Sequence, residues 1–520
     1  MYKKMTKTKS NKKILLLIFG ITLTAFLFTS DAHRYTLDED MAHQQTLRIV
    51  TQQPHPLYVE GESRILFEYP QIWPVLHGPI CQNFVFCSAT NIGHAITEIP
   101  FVFLNHQLNI INKDNFQITN SDFDDIPYVF WRNSLNPNTT FLELFYGPIF
   151  SALSATVFFL ICRIFNFSIK ISLTLTMLYS FTTMLWAYSN TSLNGVPVTT
   201  FILLGYLFLK KFQQNNSVFN LVLSATSLGF GFLVRPDAVL FIIPFLIYLA
   251  YVVKNQNSKI KKFLAFIIPT VSSYVITKMM NIINFGFIDT SNATPISAAS
   301  PLITNITNSP MAIFGLLLGP GVGLFIFSPI LLTVFFSYCD FYKRNKSDSL
   351  LFISIIAIFL IYYGSQTYWH GFNAWGARYL IPLMPLMLLP LGASLEQRKS
   401  KYIKVIILVL GSFGVLSNLV YVIQDVPWFV WCVPGCERGL YSIGWYGDSP
   451  LGINNLTLWT FEYSQLTHSV ILAFTNLQVD IFLFKVLGSH FFIISLVLIL
   501  STLIYLLKRT VKSTTMEKSC

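Results

Sequence analysis

The stretch ILLLIFGITLTAFLFT, from Ile14 to Thr29, runs sixteen residues without a charge, and comparable apolar runs recur along the whole chain. A helix needs roughly 20 predominantly apolar residues to cross a bilayer, which gives about twelve expected spans. They lie near 14–29, 147–166, 171–188, 196–210, 217–234, 238–253, 263–281, 323–339, 350–366, 379–393, 404–423 and 488–507. The expected fold is an all-α polytopic membrane protein with a long first outer loop and a smaller last outer loop.

Composition agrees: 53% of the 520 residues are hydrophobic and only 11% are charged, against about 25% charged in a soluble globular protein. The formal charge of +11 would suggest nucleic acid if the basic residues formed one patch. They come instead in small clusters between apolar runs, a pattern that reads as topology and excludes a nucleic-acid stripe.

Lys and Arg favour the cytoplasmic side. The N-terminal MYKKMTKTKSNKK, Arg163 with Lys170, Lys210 with Lys211, Lys254 to Lys262, Lys343 to Lys346, Arg398 to Lys404 and Lys508 to Lys512 fall on alternate loops. Both termini are therefore expected in the cytoplasm, and among the acids only Asp340, Asp348, Glu396 and Glu517 stay inside. The expected organisation is a cytoplasmic tail 1–13, a first span 14–29, an outer loop 30–146, a core of about ten helices over 147–423, a second outer loop 424–487, a last span 488–507 and a tail 508–520. A basic start before a short apolar stretch also describes a signal peptide. The run is longer than many signal cores and no A-x-A site follows it, which favours an uncleaved anchor.

Cys81 and Cys87 share the first outer loop, and Cys432 and Cys436 the last. An oxidising exterior would allow disulfides there, with free thiols the alternative. The C-x3-C spacing has no matching ligand pair nearby, which argues against zinc. Asn138, Asn292, Asn305 and Asn455 stand in N-x-[ST] sequons on the outer side.

The outer-face motifs carry the chemistry. TLDED directly follows the first span's exit. Thr36 and Glu39 match a capping box, and acids suit a first helical turn, so a short helix from Leu37 through Val50 fits. Capping does not account for Asp31 and His33 beside it. A carboxylate at an apolar boundary is driven toward its neutral form, which raises its pKa toward values useful for taking a proton from a hydroxyl.

Arg235, in GFLVRPDAVLFIIPFL, stands at a turn where a charge must pair or face water. It is either an interface arginine paired with Asp237 or a planar phosphate donor. Arg378, in YWHGFNAWGARYLIPLMPLMLLPLG, shares its loop with Trp369, His370, Trp375 and Tyr379. Aromatic anchoring explains the tryptophans better than it explains the histidine and arginine. GLLLGPGVGLFIFSP at 315–329 lacks a P-loop lysine and reads as a structural turn entering the membrane.

Taken together, TLDED, FTTMLWAYSNTSLNG at 181–195, LVRPDAVLFIIPFLIYL, GPGVGLFIFSPILL and NAWGARYLIPLMPLMLLPLG resemble the GT-C superfamily of polytopic glycosyltransferases, which includes protein mannosyltransferases and aminoarabinose transferases. The resemblance implies a sugar carried on a polyprenyl phosphate, moved to an acceptor protein, lipid or glycan at the outer face of the cell membrane. It implies an acidic base in the first outer loop: Asp38 first, then Glu39 or Asp40. It gives Arg235 and Arg378 the carrier phosphate, with Asp31, His33, His370 and Tyr379 as further cleft candidates. The acids could also hold a divalent cation through oxygen ligands.

The sequence departs from the family in its long first outer loop and in LDED, where many mannosyltransferases carry a D-E pair in another setting. Two other classes compete: a transporter or lipid flippase, and a non-catalytic envelope-assembly protein. A carrier should place ionisable groups near mid-bilayer. Here they cluster at the outer edge, with Lys278 the nearest exception.

Overall fold

The computed structural model describes residues 2–32, 37–51, 91–107, 140–285, 309–366, 369–371, 374–398, 400–424, 458–475, 477 and 479–519, and of Asp38 and Asp40 only the backbone. His33, Cys81, Cys87, Cys432, Cys436 and the four sequon asparagines lie outside the described residues.

Eight helices among the described residues are long and apolar enough to cross a membrane: Leu142–Ile164, Gly195–Asn215, Pro236–Val253, Lys259–Met280, Lys346–Gly364, Arg378–Gln397, Lys401–Val422 and Phe482–Ser513. Shorter apolar helices run over Ile169–Phe181, Val218–Val234 and Ser309–Leu318. The first helix is Tyr2–Leu27. The span expected at 323–339 is broken into Leu324–Phe327, a 3-10 turn Pro329–Thr333 and Val334–Arg344. Pro329 has no N–H to continue the ladder, so the chain restarts there. The helix expected after TLDED is present as Leu37–Thr51.

Burial ranks the helices. Of the apolar windows in Arg378–Gln397 and Gly195–Asn215, 83% and 78% are enclosed, against 6% for Phe482–Ser513, which makes the first two central and the last peripheral. The last helix leans on the first through Ile14, Ile18, Ile21 and Leu507. In lipid, helices associate through close packing and interhelical hydrogen bonds. Ser224 Oγ donates to the Gly205 carbonyl at 2.7 Å, joining Val218–Val234 to Gly195–Asn215.

At one end of the bundle a buried ion pair is fully engaged. Lys210 Nζ lies 3.0 Å from Asp348 Oδ2 and donates to Gln213 and Tyr248 at 2.6 and 3.1 Å. Tyr206 and Tyr248 donate to Asp348 Oδ1 at 2.6 and 2.9 Å. On the same side Arg398 and Ser394 hold Asp340, each at 2.7 Å. The glycine-rich turn at 319–323 anchors the segment at 458–465: Gly321 N–H donates to Leu458 O at 3.1 Å, and Gln465 Nε2 donates to Gly321 O at 2.7 Å.

Candidate functional site

The opposite end is organised by the loop after the four-residue helix Leu185–Tyr188. Asn190 Nδ2 donates to Thr29 O at 2.8 Å and Trp186 Nε1 to Thr29 Oγ1 at 3.0 Å, tying the loop to the end of the first span. The Ser192 peptide is held on both sides: its N–H donates to Glu39 Oε1 at 2.7 Å, and its carbonyl accepts from His94 Nε2 at the same distance. Because a carbonyl only accepts, His94 carries its proton on Nε2. Glu98, one turn on from His94, lies 3.5 Å from that nitrogen and accepts from Thr46 at 3.0 Å. Gly147 permits the close approach of helix Thr140–Ile164, since a Cβ there would stand 2.3 Å from Ser189 O and 2.6 Å from Thr191 O.

Arg235 closes helix Val218–Val234 in an extended conformation, φ −151° and ψ 119°, the conformation favoured for a residue preceding proline. Pro236 opens a 3-10 turn, with Asp237 in its first positions. The guanidinium binds Asp237 through Nε at 2.7 Å and again through Nη2. Nη2 also donates to Tyr363 Oη at 3.0 Å and to Tyr379 O at 3.2 Å, while Tyr363 donates to Asp237. Tyr363 and Tyr379 stack with centroids 4.4 Å apart and planes 8° off parallel. Both guanidinium carbons sit over the Tyr379 ring, that of Arg235 at 5.8 Å and that of Arg378 at 5.2 Å.

These groups border an open-sided cavity of about 360 Å³, lined among others by Tyr188, Asn194, Gly195, Arg235, Asp237, Arg378 and Tyr379. Among the described lining residues two guanidiniums accompany one carboxylate, a balance that suits an anion. Arg235 Nη1 borders Gly195, where a built Cβ would lie 3.9 Å from it. The arrangement can hold a phosphate against planar donors inside an apolar shell.

The structure brings together Arg235, Arg378 and Tyr379 from the sequence-derived set. Both readings of Arg235 meet in it, since it pairs with Asp237 and still lines the cavity. Asp31, Glu39 and His370 are buried outside the lining. Burial, and then the Arg378 charge, push the His370 imidazole down to about 4. Tyr188, Asn194, Ser192, His94, Glu98 and Tyr363 went unnamed as site residues. The apolar run 171–188 hid Tyr188, and FTTMLWAYSNTSLNG was the signal that could have found it. Among the described residues no group of three or more His, Cys, Asp or Glu is arranged to hold a metal ion.

Long apolar helices around a cavity lined by two arginines at one end define an all-α polytopic membrane protein. Residues 140–279 match the family model described as dolichyl-phosphate-mannose-protein mannosyltransferase. The GT-C resemblance is borne out over that stretch, which contains FTTMLWAYSNTSLNG and LVRPDAVLFIIPFLIYL.

Two solved structures of ArnT from Cupriavidus metallidurans are distantly similar. The apo form is 9% identical with a TM-score of 0.44, the match covering 78% of this chain and 61% of that one. The form bound to undecaprenyl phosphate is 8% identical with a TM-score of 0.46, covering 78% and 69%. No curated protein sequence matches.

Proposed function

We propose that this chain is an integral membrane glycosyltransferase that moves a sugar from a polyprenyl-phosphate carrier to an acceptor hydroxyl or amine on the non-cytoplasmic face. The observation that carries this reading is the cavity where Arg235 and Arg378 converge beside Tyr379. The match over 140–279 to a family described by a lipid-linked mannose donor supports it.

The reaction is a displacement at the anomeric carbon. Asp38, or else Asp40 or Glu39, takes the acceptor proton as the new glycosidic bond forms, and the bond to the carrier phosphate breaks with its electron pair on the phosphate oxygen. Arg235 and Arg378 stabilise the charge growing there, an effect that is strongest in a site closed to water. Glu39 is committed to the Ser192 N–H, which suits it to holding the loop and leaves Asp38 the first candidate for base.

The test is purified protein in lipid, incubated with a panel of radiolabelled polyprenyl-phosphate sugars, with release of carrier phosphate as the readout. Asp38→Asn should abolish release without lowering the thermal midpoint, and Arg378→Gln should raise the KM for the donor. Well-folded wild-type protein that releases nothing from any donor would overturn the reading.

A further inference from the structure

Five of the buried tyrosines among the described residues have a hydroxyl partner. Tyr146 meets Thr97 at 2.6 Å, Tyr179 meets Ser154 at 2.9 Å, Tyr206 and Tyr248 meet Asp348, and Tyr363 meets Asp237. Tyr188 is 2% exposed, and its hydroxyl has no partner among the described residues. A buried hydroxyl without a partner is costly to keep, so among these tyrosines the exception calls for a reason. The location supplies it: Tyr188 lines the cavity and lies within electrostatic range of Arg378, Arg235 and Glu39. The segment around it is pinned at Thr29, Ser328, Glu39 and His94, so its position is fixed before any ligand arrives.

We propose that the Tyr188 hydroxyl is a third donor to the phosphate of the lipid-linked substrate, completing a site begun by Arg235 and Arg378. This rests on the donor reading above. A neutral O–H binds anionic oxygen without adding another charge to the site. The loop at 181–195 therefore contributes to donor binding in addition to closing the cavity.

The experiment compares wild type, Tyr188→Phe, Tyr206→Phe and Arg378→Gln in lipid nanodiscs, with undecaprenyl phosphate as the titrated probe and thermal midpoint measured in parallel. Tyr188→Phe should bind the probe about tenfold more weakly, the loss of one hydrogen bond to a charged group, at an unchanged or raised midpoint. Tyr206→Phe, which removes a bonded hydroxyl at the far end, should lower the midpoint and leave probe affinity alone. Unchanged affinity in Tyr188→Phe alongside weakened binding in Arg378→Gln would overturn the tyrosine's role and spare the donor reading. A lowered midpoint in Tyr188→Phe would reveal a structural role and overturn it as well. Wild-type protein that does not bind the probe would sink both.

Discussion

Glu39 Oε1 accepts the Ser192 N–H at 2.7 Å across 153 residues of chain, with both residues buried. The Ser192 hydroxyl reaches the same oxygen at 3.3 Å. Removing the carboxylate leaves a buried N–H without its acceptor, at a cost of about 1–3 kcal/mol. Glu39→Ala should therefore lower the thermal midpoint, and Glu39→Gln, which keeps an acceptor oxygen, should lower it less. Equal midpoints for the two variants would count against the clasp.

Asp237 neutralises Arg235 within the same turn, the two side chains being 8% and 10% exposed. Deleting one partner of a buried ion pair strands the other charge and typically costs about 3–5 kcal/mol. Asp237→Ala should be strongly destabilised in chemical denaturation. Combined with Arg235→Met, it should recover part of that loss, whereas simple additivity would mean the two do not act as a pair.

The Lys210–Asp348 pair is a second such test, placed at the far end of the bundle. Lys210→Met alone strands Asp348 with its two tyrosine donors, and should cost about as much as other broken buried pairs, roughly 3–5 kcal/mol. Lys210→Met with Asp348→Leu should be markedly more stable than either single variant. A double-mutant cycle with no coupling would refute this.

His370 gives a pH dependence. Burial, and then the Arg378 charge, hold its folded pKa at about 4, below the roughly 6.5 of an unfolded histidine. Between these values the unfolded chain binds the extra proton, so stability falls as pH drops from about 6.5 to 4 and is unaffected above that window. A thermal-midpoint profile of wild type should slope there more steeply than that of His370→Gln. Parallel profiles would show that His370 does not contribute.

Gly147 and Gly20 make a matched pair on neighbouring helices. A methyl at Gly147 would meet Ser189 O at 2.3 Å, backbone that is itself pinned, whereas one at Gly20 meets nothing nearer than Leu503 at 3.7 Å. Gly147→Ala should reduce the yield of folded protein and Gly20→Ala should not, as read by size-exclusion profiles in detergent.

The elements were largely legible because hydropathy is a property of each segment by itself. Pro236 after Arg235, or the acids just past the first span, place those residues at element ends whatever the rest of the chain does. The break at Pro329 inside the expected span 323–339 was less legible, since an apolar run reads alike whether its helix is continuous or restarted.

By itself the sequence determined that this chain is helical, crosses a membrane many times and places TLDED and Arg235 at element ends. Only the tertiary structure decided which groups meet. Glu39 finds Ser192, Lys210 finds Asp348 and Tyr363 finds Asp237, each pair more than a hundred residues apart. Tyr188, inside an apolar run, is brought into the cavity lining. The physical reason is that burial energy depends on each segment's composition, whereas a hydrogen bond depends on ångström-scale placement between helices that only packing fixes.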